Sequence, residues 1–218
     1  MKFAKPFKTV IFDLDGTLLD SWPSLQATLH EGLNSRTLDM PSLKLELSAG
    51  IAPMLALAAQ QADLRGSEQE AAQTQLMRSY LSRFVLNATV YLGVPELLAR
   101  LQAQGLKLGI CTNRDRASSL QLLHHHQLSD FFEAVVCIDD TPFPKPSPEP
   151  LHTCLQLLGA TPSETLFVGD SGIDASCAHA ANVAFAAHVP GYHRNMHELE
   201  PSVLRFDAYE QLNDMLEA

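Results

Sequence analysis

The sequence predicts an α/β protein: an open parallel-sheet core with an inserted all-helical cap. Three observations point there. A short β-branched and aromatic run at 9–12 ends on Asp13. From about residue 90 to the end, strand-like and helix-like segments alternate. Between them, 19–89 carries helical patterns and no convincing strand. Alternation of that kind implies parallel strands joined by crossover helices. The core is therefore assigned to 1–18 and 90–218, and the cap to 19–89.

The elements follow in order. The run at 9–12 reads as a buried strand. In the cap, 25–33, 53–64 and 67–86 are rich in Leu, Ala and Gln and read as helices. Gly66-Ser67 followed by Glu70 is a capping-box pattern. Beyond the cap, 95–104 has leucines at 97, 98 and 101, with Pro95 suited to a first turn and Gly105 to the far end. Strands are expected at 106–111, 134–138, 165–168 and 183–187, and helices at 114–126, 149–158, 172–181 and 208–216. The proline-dense stretch 141–150 reads as a stiff loop.

Composition removes several classes of function. The 218 residues are 46% apolar, enough for a full core, and carry a net charge of -10 from 15 basic and 25 acidic side chains. An acidic surface argues against nucleic acid and anionic membranes as partners. No apolar stretch reaches the length of a membrane span, and the basic segment 1–8 is not followed by a secretory signal, so a cytoplasmic protein is expected. Cys111, Cys137, Cys154 and Cys177 lack metal-ligand spacing and read as buried hydrophobes in a reducing compartment. His124, His125 and His126 are adjacent on a helix, about 100° apart, and cannot easily share one ion.

Open parallel sheets bind ligands beyond the carboxyl ends of their strands. Asp13, Asp15, Gly16 and Thr17 follow the first strand. Thr112 and Asn113 follow the second, Lys145 stands in the loop after the third, and Gly169, Asp170, Ser171 and Asp174 follow the fourth. Asp13, Asp15 and Asp170 on one edge repel one another unless a cation joins them. A hard divalent ion, magnesium, suits oxygen ligands and leaves places for phosphate oxygens. With the fixed charge of Lys145, the set suits phosphoryl transfer. Asp13 can serve as a nucleophile without a base, since it is ionised at neutral pH. Asp15 can protonate the leaving oxygen and then take a proton from water. Thr112, Asn113 and Lys145 are candidates for holding the phosphoryl oxygens, and Asp174 for orienting Lys145 or metal-bound water.

The same residues carry a family resemblance. Asp13-Leu14-Asp15-Gly16-Thr17 resembles the first motif of the haloacid dehalogenase-like hydrolases, Thr112-Asn113 the second, Lys145 the third and Gly169-Asp170-Ser171-Gly172-Ile173-Asp174 the fourth. Within that superfamily the motifs are most similar to the phosphoglycolate phosphatase group. The resemblance implies a Rossmann-like core with a helical cap, a nucleophile at Asp13 and a general acid/base at Asp15. It also implies magnesium held by Asp13, the Asp15 backbone carbonyl and Asp170, and a small phosphorylated metabolite as substrate for a monomer or homodimer.

Two departures stand out. Ala181-Asn182 replaces the Ala-Gly pair that often ends the helix after the fourth motif, and Asn tolerates left-handed backbone. The cap loop Leu47-Ser48-Ala49-Gly50-Ile51-Ala52-Pro53 has no charge with which to read a carboxylate. The cap's cations are Arg36, Lys44, Arg65, Arg78 and Arg83. The expectation is a magnesium-dependent phosphatase working through a phospho-aspartate. A β-phosphoglucomutase-like phosphomutase and an inorganic pyrophosphatase are alternatives on the same site, and a non-catalytic binding protein is the reading from another class.

Overall fold

The protein is described here as a computed structural model covering residues 7–33 and 37–217. The N-terminal segment through residue 6, Arg36 and the Arg83 side chain lie outside the described residues. The chain forms β1 (Thr9–Phe12) and β2 (Leu19–Asp20), then α1 (Trp22–Gly32), α2 (Met40–Glu46), α3 (Ile51–Gln61) and α4 (Gly66–Ser79). It returns through β3 (Thr89–Val90) and α5 (Val94–Ala103) to β4 (Lys107–Cys111), α6 (Arg116–His125), β5 (Ala134–Val136) and α7 (Glu149–Leu158). It ends with β6 (Thr165–Gly169), α8 (Gly172–Ala180), β7 (Ala184–His188), β8 (Leu204–Phe206) and α9 (Tyr209–Glu217).

Six parallel strands form one sheet in the order β5-β4-β1-β6-β7-β8. β1 is buried on both faces because side chains alternate along a strand. Val10 and Phe12 point into a core built with Leu97 and Leu101 of α5, Leu122 of α6 and Leu212 of α9. Ile11 points to the opposite face, where Leu151 and Leu155 of α7 and Ala175 and Ala178 of α8 cover it. Helices on both faces explain why β1 is an unbroken apolar run rather than an alternating one. The strand order reverses at β1, between β4 and β6, so its carboxyl end opens on the crevice where such sheets bind ligands. Asp13 is the next residue.

The helices of 22–79 hold a separate core of Leu25, Leu29, Leu43, Met54, Leu55 and Leu76. Asp39 caps α2 by accepting from the Ser42 amide at 3.3 Å. α4 runs on into a π-helical turn, Tyr80–Phe84.

Several details differ from the sequence expectations. The segment 19–89 does contain strand: Leu19 and Asp20 pair antiparallel with Val90 and Thr89, joining the two crossings into the inserted helices. Two residues per strand are too few to leave a periodic signal. α2 and β8 were also not expected. α2 is only seven residues long, and β8 is a three-residue edge strand. The capping box at Ser67 does not form: α4 begins one residue earlier, after Arg65, with no side-chain cap. Asn182 does take the left-handed conformation, at φ 55°.

Candidate active site

Asp13 leaves β1 with its amide hydrogen-bonded to the Val168 carbonyl at 2.8 Å, which fixes it beside the end of β6. Gly16 then turns the chain at φ 82°. A Cβ there would lie 2.3 Å from Asp170 Oδ2, so only glycine fits against this carboxylate. Thr17 Oγ1 donates to Asp170 Oδ1 at 3.0 Å, and the Tyr192 amide donates to Oδ2 at 2.6 Å. Asp170 is thereby held from both sides and is 1% exposed.

Lys145 reaches the centre from the proline-dense loop. Its ammonium donates to Asp13 Oδ1 at 2.7 Å, Asp174 Oδ1 at 2.7 Å and the Cys111 carbonyl at 2.9 Å. Those are all three of its protons. Asn113 accepts from the Lys145 amide at 2.9 Å and donates to the Lys145 carbonyl at 2.8 Å. Both side chains were expected to hold phosphate. Here the Asn113 amide clamps the Lys145 backbone, and the Lys145 ammonium is a counter-ion beneath Asp13 and Asp174. Thr112 is buried, and its hydroxyl accepts from the Arg114 amide at 3.2 Å.

Asp174 has two roles. Its Oδ2 accepts from the Ser171 hydroxyl at 2.6 Å and the Ser171 amide at 3.1 Å, completing a capping box at the start of α8. Its Oδ1 orients Lys145.

Carboxylate oxygens of Asp13, Asp170 and Asp174 all lie within 4.8 Å of one another. The Asp15 side chain is not in this group. It forms a bidentate pair with Arg114, at 2.6 Å and 2.8 Å. Arg114 is 4% exposed and also donates to the Tyr80 hydroxyl, so Asp15 is tied to the helical insert.

The charges follow from this packing. Burial pushes the Asp13 carboxyl up to about 7; Lys145 opposes the rise and Asp174 adds to it. Burial, then the neighbouring Asp174 and Asp13, push Asp170 well above the carboxylate range. Burial acts the same way on Asp15, but the Arg114 guanidinium outweighs it and holds this carboxyl below its usual value. The donor set of Asp13 and Asp170 fits a divalent cation: hard oxygen ligands, fixed by hydrogen bonds, whose crowding a cation relieves.

Three further residues were missed. Arg114 follows Thr112-Asn113 directly, so extending the strand-end filter by one residue finds it. His188 is the last residue of β7, and Tyr192 stands in the loop after it. His188 Nδ1 donates to the Gly16 carbonyl at 2.8 Å. The ring packs on Tyr91 and Tyr209, and burial lowers its pKa to about 4 despite the Gly16 carbonyl. The Tyr192 hydroxyl accepts from the Ser21 and Trp22 amides at 2.8 and 2.9 Å and donates to Asp20 at 2.8 Å. It pins the start of α1 to the loop that holds Asp170. Tyr192→Phe strands the Ser21 amide, while Trp22 keeps its bond to Asp20 Oδ1 at 3.0 Å, and is expected to cost about 2 kcal/mol. A denaturant midpoint checks the loss, and faster amide exchange at the start of α1 locates it.

The described residues contain no metal-ligating cluster other than the three aspartates. All four cysteines are free and buried, as their spacing implied. No described helix is long and apolar enough to cross a membrane.

Comparison with known proteins identifies the family. A model of the haloacid dehalogenase-like hydrolases matches residues 10–188. A phosphoglycolate phosphatase of Cereibacter sphaeroides is 34% identical over 214 residues, covering 95% of this chain and 96% of that protein. One from Chromobacterium violaceum is 36% identical over 194 residues, covering 86% and 87%. Among solved structures, a protein described as a "predicted phosphoglycolate phosphatase" from Haemophilus somnus 129PT superposes with a TM-score of 0.85 at 26% identity, over 98% and 99% of the two chains. A subfamily IA hydrolase of the same superfamily from Geobacter sulfurreducens gives 0.75 at 27% identity, over 99% and 100%. With its Rossmann-like core, inserted helices and strand-end aspartates, the chain belongs to the haloacid dehalogenase-like hydrolases.

Proposed function

We propose that the protein is a magnesium-dependent phosphomonoesterase that hydrolyses a small phosphorylated metabolite through a phospho-aspartate on Asp13. The observation that carries this reading is the meeting of Asp13, Asp170 and Asp174 beside Lys145 at the strand-order switch. The named activity of the curated relatives supports the reaction class. The buried free thiols suit a cytoplasmic enzyme, and we retain the expectation of a monomer or homodimer.

In the first half-reaction, an Asp13 carboxylate oxygen attacks phosphorus. The bond from phosphorus to the alcohol oxygen breaks, and Asp15 delivers a proton to that oxygen. In the second, water attacks the phosphoryl group, Asp15 takes its proton, and the bond to Asp13 breaks. Lys145 aligns Asp13 and favours its ionised form against the effect of burial. Magnesium, held by Asp13, Asp170 and the Asp15 carbonyl, would neutralise charge on the phosphoryl oxygens. Asp174 keeps Lys145 in place. The grip of Arg114 favours ionised Asp15, the form needed to accept a proton from water. Protonating the alcohol requires that grip to loosen, and Tyr80 is the contact through which movement of the residue 19–89 cap reaches it.

Metal dependence has a second readout in stability. Asp13 and Asp170 retain protons in the metal-free fold that the unfolded chain has already lost, so metal-free stability falls as pH rises above about 4, with the Asp13 contribution complete past about 7. The rise of Asp13 from 3.8 to about 7 corresponds to about 4 kcal/mol. Magnesium is therefore expected to raise Tm by several degrees at about pH 8 and little at about pH 5. Chelation is expected to remove turnover, and added magnesium to restore it. Full activity in chelator would overturn the reading.

A further inference from the structure

We infer that the substrate's alcohol is uncharged and mainly hydrocarbon: the site takes an alkyl or aryl phosphate without a carboxylate. This deepens the phosphatase reading and rests on it.

A cavity of about 400 Å³ lies between the helical insert and the core. Its floor carries the charge. Asp13, Asp15, Asp115, Asp170 and Asp174 face two cations, Lys145 and Arg114. Both cations are committed, Lys145 to Asp13 and Asp174, and Arg114 to Asp15. With Asp15 protonated for the first half-reaction, a divalent cation brings this wall only to about neutral, and the phosphoryl dianion then makes it negative. A second anion on the substrate would therefore enter an uncompensated field away from bulk water.

The roof is hydrocarbon. Leu25, Leu47, Ile51, Met77 and Leu81 line it. Among the described residues, no cation from the insert lines the cavity. Lys44 sits 5.9 Å from the centroid of the Tyr192 ring, outside the lining. Arg65 pairs with Asp63, and Arg194, from the core, pairs with Glu46. An apolar alcohol gains from leaving water against this roof, whereas a carboxylate loses its hydration with no partner.

Matched phosphate esters test this on the full chain with magnesium. Isobutyl phosphate is the neutral counterpart of phosphoglycolate, and phenyl phosphate that of 4-carboxyphenyl phosphate. In each pair kcat/KM is expected to favour the neutral ester by at least about tenfold. Ile51→Lys, which adds a cation to the roof, is expected to narrow the gap by about tenfold. Equal or greater kcat/KM for the carboxylates in the wild type would overturn the inference and leave the phosphatase reading standing. A preference for phosphoglycolate lost in Arg36→Ala or Arg83→Ala would overturn it too, and would identify the missing cation. If magnesium supports no hydrolysis of any ester, the phosphatase reading itself fails, and the inference with it.

Discussion

Asp13→Asn is expected to reduce turnover by at least about 10⁴-fold while the fold stays intact. The amide nearly matches the carboxylate in volume, and its oxygen can still accept from Lys145. What it loses is nucleophilicity. Its effect on stability separates chemistry from folding. Burial and the neighbouring Asp174 raise the Asp13 carboxyl to about 7, so the native charge is a burden in the metal-free protein. Removing it is expected to leave the metal-free Tm at about pH 8 unchanged or higher, and to shrink the rise that magnesium produces. A variant that is inactive because it unfolds would show the opposite, a lower Tm without metal. Kinetics and thermal scans with and without magnesium check both parts.

Lys145→Met is the other large effect. Lys145 is 4% exposed, and its ammonium divides its three protons among Asp13, Asp174 and the Cys111 carbonyl. Replacing it with a neutral chain leaves two buried carboxylates without their counter-ion. Breaking such a pair from one side costs about 3–5 kcal/mol. At least about a hundredfold of activity should go with it, because Asp13 would be neither aligned nor held ionised. The loss of stability is expected to be larger at about pH 8 than at about pH 5, since at low pH Asp13 takes up a proton and no longer needs the counter-ion. A deficit that does not vary with pH would mean that Lys145 matters for packing and not for charge. Denaturant midpoints at the two pH values decide it.

Much of this was legible in the sequence, for physical reasons that can be named. β1 announced itself because a strand covered on both faces is an unbroken apolar run. α7 matched its expected span, 149–158, because Glu149 and Pro150 open it and Gly159 ends it in a left-handed turn. Asp13, Asp15 and Asp170 stand out in the sequence because strand ends in an open parallel sheet are where ligands bind, and the structure brings the Asp13 and Asp170 carboxylates together. The remainder depends on contacts far apart in the chain. Asp15 and Arg114 are 99 positions apart, and His188 and Gly16 are 172 apart. No local pattern encodes such partners. The sequence also could not show which side-chain hydrogen bonds are already used. Asn113 and Lys145 read as phosphate ligands; in the structure the Asn113 amide also holds the Lys145 backbone, and the Lys145 ammonium is shared by two aspartates. The uncharged loop at 47–53 was legible, and Ile51 does line the roof of the cavity.

The central claim is a covalent phosphoryl group on Asp13. The direct test is a rapid acid quench of Asp15→Asn with p-nitrophenyl phosphate and magnesium, followed by peptide mapping by mass spectrometry. The nitrophenolate leaves without needing a proton, whereas hydrolysis of the phospho-enzyme still needs Asp15 as a base. The account predicts a burst of nitrophenol equal to the enzyme present, with a phosphoryl group on the peptide containing Asp13. Nitrophenol and phosphate released in step with Asp13 unmodified, or a phosphoryl group on another residue, would contradict it.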